Sequence, residues 1–385
     1  MEKSKDKTTQ IKKEAFGRSG ASLKMGIIGL QQSGKTSTFE LLSKLQSKDE
    51  KPAGEGKLKA EVTDPRLDKL STFYDKTKTL PILNIIDLSS GIYSPDEGLG
   101  AELLSKIPAV DGIFQIIKTF EEENEEIDPI KDLETVKADF IGKDKSLIEK
   151  KLFELEKGMK RGDSKFQKDA KEEKEVLEKV LKIYANNGYI KENEWTNQEM
   201  EILNSHLFLT TKPVVYLINL SEKDFLSKKN KWLAKINQWV IKNGGGKLVP
   251  FSVAYEMSLF DDSVEPKAEI IKETGVDSSL RKIINAGYQS LDLIHFFTVG
   301  EQFIKVWTIR TGYKAPQAAG ILHSDFEKKY ISAEIVNYVD LIAAGSEEEA
   351  RQKGTMRVEG KTCEVLDGDI VYFKFNASDP VKKKK

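Results

Sequence analysis

Eight residues carry the clearest chemical signal in this chain. Gly29-Leu-Gln-Gln-Ser-Gly34-Lys35-Thr36 fits the spacing GxxxxGK[ST]. Glycines at those positions let backbone N–H groups turn inward around an anion, and a following helix adds the positive end of its dipole. On this reading Lys35 is the catalytic cation that reaches the β- and γ-phosphates of a nucleotide, and the Thr36 hydroxyl ligates magnesium, Mg2+. An ordinary strand–turn–helix connection is the alternative. Asp87 closes the apolar run Ile82-Leu-Asn-Ile-Ile86, where a carboxylate would hold the metal through water. A DxxG switch should begin there, but Asp87-Leu-Ser-Ser90 puts serine at the fourth position and Gly91 one residue late. Asn219-Leu220-Ser221-Glu222 follows a later apolar run, at the place where GTPases carry NKxD. The longer Glu222 carboxylate would be misplaced for guanine, which leaves the choice of purine open. Ser252, in Pro250-Phe-Ser-Val-Ala254, stands where a small residue would line the base.

These residues need a scaffold that brings strand ends together. Leu23–Ile28 reads as a buried strand and about Lys35 to Leu45 as a helix. Ile82–Ile86, Gly112–Ile117, Val214–Ile218 and Leu248–Phe251 read as further strands with helices between them. That alternation predicts α/β architecture with a mostly parallel sheet. Between 128 and 207 Glu and Lys dominate, and Leu147, Ile148, Leu152, Leu155 and Met159, then Val176, Leu177, Val180 and Leu181, recur at helical spacing. The polar break Arg161-Gly-Asp-Ser164 between them predicts an antiparallel helical hairpin with a coiled-coil seam. From about Leu291 strand-like runs return at His295–Thr298, Ile304–Ile309, Glu334–Tyr338, Cys363–Leu366 and Ile370–Phe375, with one short helix near Ala318–His323. The domain expectation is a basic, disordered arm at 1–22, a nucleotide-binding domain at 23–290 with the helical insertion at 128–207, a β-rich domain at 291–377 and a basic tail at 378–385.

Composition narrows the function classes. The chain has 385 residues, 39% hydrophobic and 32% charged, against roughly 25% charged in an average domain. Its 61 Lys+Arg against 62 Asp+Glu exclude a uniformly basic nucleic-acid coat. One cysteine, Cys363, excludes a disulfide framework, and three scattered histidines exclude an HxxxH zinc motif. No apolar run approaches a membrane span. The expectation is a cytoplasmic monomer. The basic termini and the tract Lys157–Lys171 are either solvated or contact nucleic acid. Cys363 reads as a small buried residue, His206 as structural, and Trp232 and Trp239 as packing.

Taken together, these residues resemble the Obg-like ATPase family of P-loop proteins (the YchF type, in its eukaryotic form), from Gly17 to the C-terminal lysines. The collinear segments are Asp64-Pro-Arg-Leu-Asp68, Glu97-Gly-Leu-Gly100, Leu207-Phe-Leu-Thr-Thr-Lys-Pro213, Asn219-Leu-Ser-Glu-Lys-Asp224, Lys314-Ala-Pro-Gln-Ala-Ala-Gly320 and His323-Ser-Asp-Phe-Glu-Lys328. The resemblance implies a GTPase-like fold that prefers ATP, a coiled-coil insertion and a C-terminal, β-grasp-like TGS domain. It implies ATP contacts from Gln32, Ser33, Gly34, Lys35, Thr36 and Ser37, with Leu220 beside the adenine and Asn219, Glu222 and Ser252 around it. It implies Thr36 and Asp87 on Mg2+. The partner it implies is the ribosome, at the large subunit, with rRNA contacts through basic regions. The chain also departs from the family. Gln31-Gln32-Ser33 replaces the usual Pro-Asn-Val, Lys48–Gly56 lacks the threonine that gives a second Mg2+ contact, and no histidine lies near Glu122–Asp128. Phosphate-binding parts remain while parts for hydrolysis are altered. The expectation is therefore ATP binding with slow or absent hydrolysis. A GTPase of the same fold and a non-hydrolysing scaffold on RNA or the ribosome are its rivals.

Overall fold

The computed structural model describes residues 16–376 apart from 19, 21, 48–53, 89–97, 122–125, 161–162 and 261–266. Ser89 to Gly91, most of Lys48–Gly56, residues 1–15 of the basic arm and the C-terminal tail at 378–385 therefore lie outside the described residues. The strands are β1 (Lys24–Gly29), β2 (Lys57–Glu61), β3 (Thr77–Thr79), β4 (Ile82–Asp87), β5 (Gly112–Lys118), β6 (Val214–Asn219) and β7 (Lys247–Phe251). They continue as β8 (Leu293–Val299), β9 (Phe303–Arg310), β10 (Tyr330–Asn337), β11 (Arg357–Glu359) and β12 (Asp369–Phe375).

The first sheet has the order β2-β4-β1-β5-β6-β7, parallel except for β2. Every residue of β5 is buried, as expected of a central strand covered on both faces. Helices Lys35–Ser43 and Leu280–Ser290 cover one face through Leu41, Leu42, Ile283 and Ile284. Leu103, Val136, Phe140 and Ile236, from helices on the other side, cover the second face. The chain order reverses at β1, which has β4 on one side and β5 on the other. Ligands bind at such a switch point, outside the carboxyl ends of the strands, and the Gly29–Thr36 loop leaves β1 there.

The charged insertion is a hairpin of helices Pro129–Met159 and Ser164–Ala185. Its seam is Ile148, Leu155, Ala170, Val176, Leu177 and Val180, with Leu152, Met159 and Leu181 against it. Leu147, which the sequence pattern places in the seam, is 40% exposed, because the buried stripe follows 148, 152, 155 and 159, one residue out of phase with it. At the base of the hairpin Asp144 is buried among four donors. They are Leu209 N at 2.8 Å, Thr210 N at 3.0 Å, Thr210 Oγ1 at 2.9 Å and Tyr184 OH at 3.0 Å.

The second sheet has the order β11-β10-β12-β8-β9-β3, mixed in direction and β-grasp-like. Helix Ala315–Leu322 packs one face through Ala315, Ala318 and Ala319. The other face is covered in part by residues far earlier in the chain. Helix Pro65–Tyr74 inserts Leu67 and Leu70 beside Phe297, Ile304 and Ile370, and β3 pairs in parallel with β9. The link between β2 and β4 is thus built into the C-terminal sheet. Cys363–Leu366 is not a strand. Its backbone bonds the Tyr313–Ala315 turn instead, through Ala315 N to Cys363 O and Val365 N to Tyr313 O, with a single bridge from Lys314 to Glu364. Cys363 itself is half-buried, and burial pushes its thiol pKa up.

Candidate functional site

The loop after β1 is shaped by local backbone demands. Gln32 has φ 55° and Gly34 φ 94°, both left-handed. Gly34 leads into helix Lys35–Ser43, whose first turn has no capping side chain and no acidic residue. Its N–H groups and dipole are therefore left for an anion. Lys35 is buried and donates from Nζ to Leu30 O at 2.6 Å. Burial lowers its pKa, while the charge of Asp87 acts in the opposite direction. This places the Asp87 carboxylate, at the end of β4, within electrostatic reach of the ammonium. Thr36 is exposed and Ser37 half-buried. Gln31, Gln32 and Ser33 line a cleft of about 1020 Å³ shared with Gln115, Lys118 and Trp232.

Asn219 ties this loop to the next two. Its Nδ2 donates to Ser33 O at 3.0 Å, and its Oδ1 accepts from Val253 N at 3.1 Å. Its own carbonyl accepts from Thr119 N and Oγ1 at 3.1 and 2.9 Å. The residue that sequence reading assigns to the nucleotide thus holds the phosphate loop, the end of β5 and the Ser252 loop in one register. Leu220 is 2% exposed and packs with Phe225 and Tyr255, so most of its side chain is covered by protein. Ser252 is fully buried and caps helix Val253–Ser258 by accepting from Tyr255 N. Glu222 is exposed in the first turn of helix Glu222–Ser227. Lys35 thus feels the charge of Asp87, Asn219 ties the Ser33 and Ser252 loops together, and Thr36 and Glu222 are exposed. Sequence reasoning missed Thr119 and Asn230. Asn230 Nδ2 donates to Thr119 O at 3.2 Å and to Asp224 Oδ2 at 2.7 Å, a link visible only once the fold brings them together.

Gly34 carries a direct prediction. A Cβ there would lie 2.8 Å from Asn219 Nδ2, at a φ that L side chains rarely adopt. Gly34→Ala should weaken binding of a fluorescent nucleotide analogue by about tenfold to a hundredfold, the equivalent of the 1–3 kcal/mol such strain costs. An unchanged titration would show that the loop tolerates the strain.

Two further contacts connect the site to the rest of the molecule. Leu99 N donates to Asp139 Oδ2 at 2.8 Å, joining the segment after the switch region to the first arm helix. Gly98 (φ 64°) permits that approach, since a Cβ would fall 2.3 Å from the same oxygen. On the other side Arg66 bonds both Asp64 and Asp367, and His295 Nδ1 lies 2.8 Å from Asp64 Oδ2. Asp64, just after β2, is thereby fastened to the C-terminal sheet.

A switch-point sheet, a glycine-bounded loop holding a buried lysine, and a carboxylate at the adjacent strand end define a P-loop nucleotide-binding protein of the GTPase-like class. Residues 293–376 match the YchF-GTPase C-terminal family model, described as a protein of unknown function (DUF933). Obg-like ATPase 1 of Caenorhabditis elegans is 39% identical over 394 residues, 99% of each chain. Obg-like ATPase 1 of Homo sapiens is 40% identical over 384 residues, 96% of each. The solved structure of the Schizosaccharomyces pombe YchF GTPase superposes with a TM-score of 0.85 at 38% identity, covering 94% of this chain and 100% of that one. The chain belongs to the Obg-like ATPase family. Among the described residues no helix is long and apolar enough to cross a membrane.

Proposed function

We propose that the protein binds ATP with Mg2+ on the Gly29–Thr36 loop, hydrolyses it slowly, and uses the bound nucleotide to regulate its association with the ribosome. The observation that carries this is the loop itself, where buried Lys35 feels the charge of Asp87 beside an uncapped helix start. Lys35 and the loop N–H groups would hold the phosphates and stabilise charge as water attacks in line. Thr36 and Asp87 would hold Mg2+, which when bound neutralises charge on the β- and γ-phosphates. Among the described residues no group of three or more His, Cys, Asp or Glu could hold a metal. Three features of the sequence support slow turnover. Ser90 stands where the switch glycine belongs, the threonine of the shortened Lys48–Gly56 stretch is missing, and no histidine lies near Glu122–Asp128.

Nucleotide occupancy would be read out through the contacts that leave the site. Asp139 links the segment after the switch to the arm, and Asp64 links β2 to the C-terminal domain. ATP would set the relative pose of these two appendages, which meet the large ribosomal subunit and its rRNA. The test is competition against a labelled ATP analogue in Mg2+. ATP should displace it at concentrations about tenfold or more below those of GTP, a difference of at least 1.4 kcal/mol. Tighter displacement by GTP would make the protein a GTPase of the same fold.

A further inference from the structure

Two phenylalanines stand in water toward the free end of the helical arm. Phe153 is 58% exposed and Phe166 44%. Neither belongs to the seam, which Ile148, Leu155, Ala170 and Val176 build with Leu152 and Met159. The first helix has 31 residues, so at about 1.5 Å per residue its end lies tens of ångströms from the phosphate loop. Phe166 leans on Gly158 of the facing helix, where a Cβ would approach the ring to 2.8 Å. Lys157 Nζ sits 4.0 Å from the Phe153 ring centroid, in cation–π range.

The charge of this region differs from that of the whole chain. Between residues 150 and 171 there are eight Lys or Arg and four Asp or Glu, in a chain of net charge −1. Ion pairs such as Lys174–Glu156 and Lys151–Glu173 clasp the two helices, and none involves Lys157 or Lys165 among the described residues. Exposed aromatic rings set among cations that stand outside those ion pairs are what unpaired nucleic acid requires. Each base offers a π-face to a ring while its phosphate meets a lysine. A protein groove would call for a continuous apolar patch, whereas the charged Lys157 lies over the Phe153 ring. A duplex would hide its base faces and leave only the lysines to hold it.

We propose that this end of the arm docks single-stranded RNA, with bases stacked on Phe153 and Phe166 and phosphates on Lys157, Lys165 and their neighbours. The ribosomal reading is used only for the source of that RNA.

The test is fluorescence anisotropy of the full chain with a labelled single-stranded oligoribonucleotide and a duplex of equal length, across a salt series. The single strand should bind more tightly. Phe153→Ala with Phe166→Ala should weaken it about tenfold or more, the equivalent of removing the stacking of one or two bases. Phe153→Tyr with Phe166→Tyr should retain affinity because the rings remain. Lys157→Gln with Lys165→Gln should reduce the salt slope by about 1.4, because two phosphates would then keep their counterions. All four substituted positions are exposed, so an unchanged circular-dichroism melt should accompany every variant.

The proposal is overturned if the double alanine variant binds as wild type, if duplex binds as well as single strand, or if the rings serve binding to anionic phosphatidylserine vesicles and not to RNA. Cosedimentation with ribosomes separates it from the wider reading. Ring-independent RNA binding with intact cosedimentation removes the stacking surface alone. Ring-dependent RNA binding by a chain that never cosediments keeps the surface and removes the ribosomal partner.

Discussion

Replacing Arg66 with alanine should lower stability by about 2–3 kcal/mol, the low end for breaking a buried ion pair, because the site is partly open to water. The arginine donates from Nε and Nη2 to Asp64 at 3.0 and 2.8 Å, and from Nη1 and Nη2 to Asp367 at 2.7 and 3.1 Å. The Asp64 side chain is 5% exposed, that of Arg66 26% and that of Asp367 50%. Removing the guanidinium leaves a buried carboxylate with only His295 and the N–H of residue 66 to answer it. Burial pushes the Asp64 pKa up, but hydrogen bonds from His295 and Arg66 and the guanidinium charge overcome this and hold it well below the usual carboxylate range.

The sign of the pH effect follows. A depressed folded-state pKa contributes stability above the unfolded value of about 3.9 and loses it as pH falls below that toward the folded value. Wild type should therefore lose stability steeply below about pH 4, and Arg66→Ala should show a flatter acid limb. Hydrogen exchange provides the local readout, since a chain with several domains need not unfold in one step. Exchange should rise in Thr77–Thr79 and in β9, which that strand pairs. Unchanged exchange there would show that the apolar contacts of Leu67 and Leu70 hold the C-terminal sheet without the ion pair.

The second large effect is expected at Asp144. Asp144→Ala should cost about 3 kcal/mol, because it strands several buried donors at roughly 1 kcal/mol or more each. The N–H groups of Leu209 and Thr210 would lose the acceptor they have in Asp144, and the hydroxyls of Tyr184 and Thr210 would be left with each other at 2.7 Å. The segment 209–211 leads directly into β6, which ends at Asn219. Loss of this anchor should loosen the arm base first and expose the hairpin to limited proteolysis. Asp144→Asn keeps the size and one acceptor oxygen, so it should fall between wild type and Ala. Equal melting and equal cleavage for all three would mean that seam packing alone anchors the arm.

How much of this was legible in the sequence depends on whether the cause is local. The phosphate loop is a local device, and its glycine and lysine spacing could be read directly. The same holds for Asp87, since a strand that ends in a carboxylate is an uninterrupted pattern. Asn219 was visible as a motif position, but its tether to Ser33 and Val253 depends on strands drawn from three parts of the chain. Thr77–Thr79 is three exposed residues with no apolar alternation, so only its pairing with β9 makes it a strand. Cys363–Leu366 fails for the opposite reason. It has strand-like residues, but its hydrogen bonds go to a turn. Asp64 and Arg66 lie in a segment shared with the family, and their purpose shows only where Asp367 and His295 fold against them.

The most direct test of the central claim is phosphate release from ATP under single-turnover conditions, with and without ribosomes, beside Lys35→Ala. Wild type should retain ATP and release phosphate slowly, below about 0.01 s⁻¹ without a partner, as for GTPase-fold proteins acting alone. Lys35→Ala should neither retain ATP nor release phosphate. Release at the same rate from Lys35→Ala, or failure of wild type to retain ATP at all, would contradict that claim.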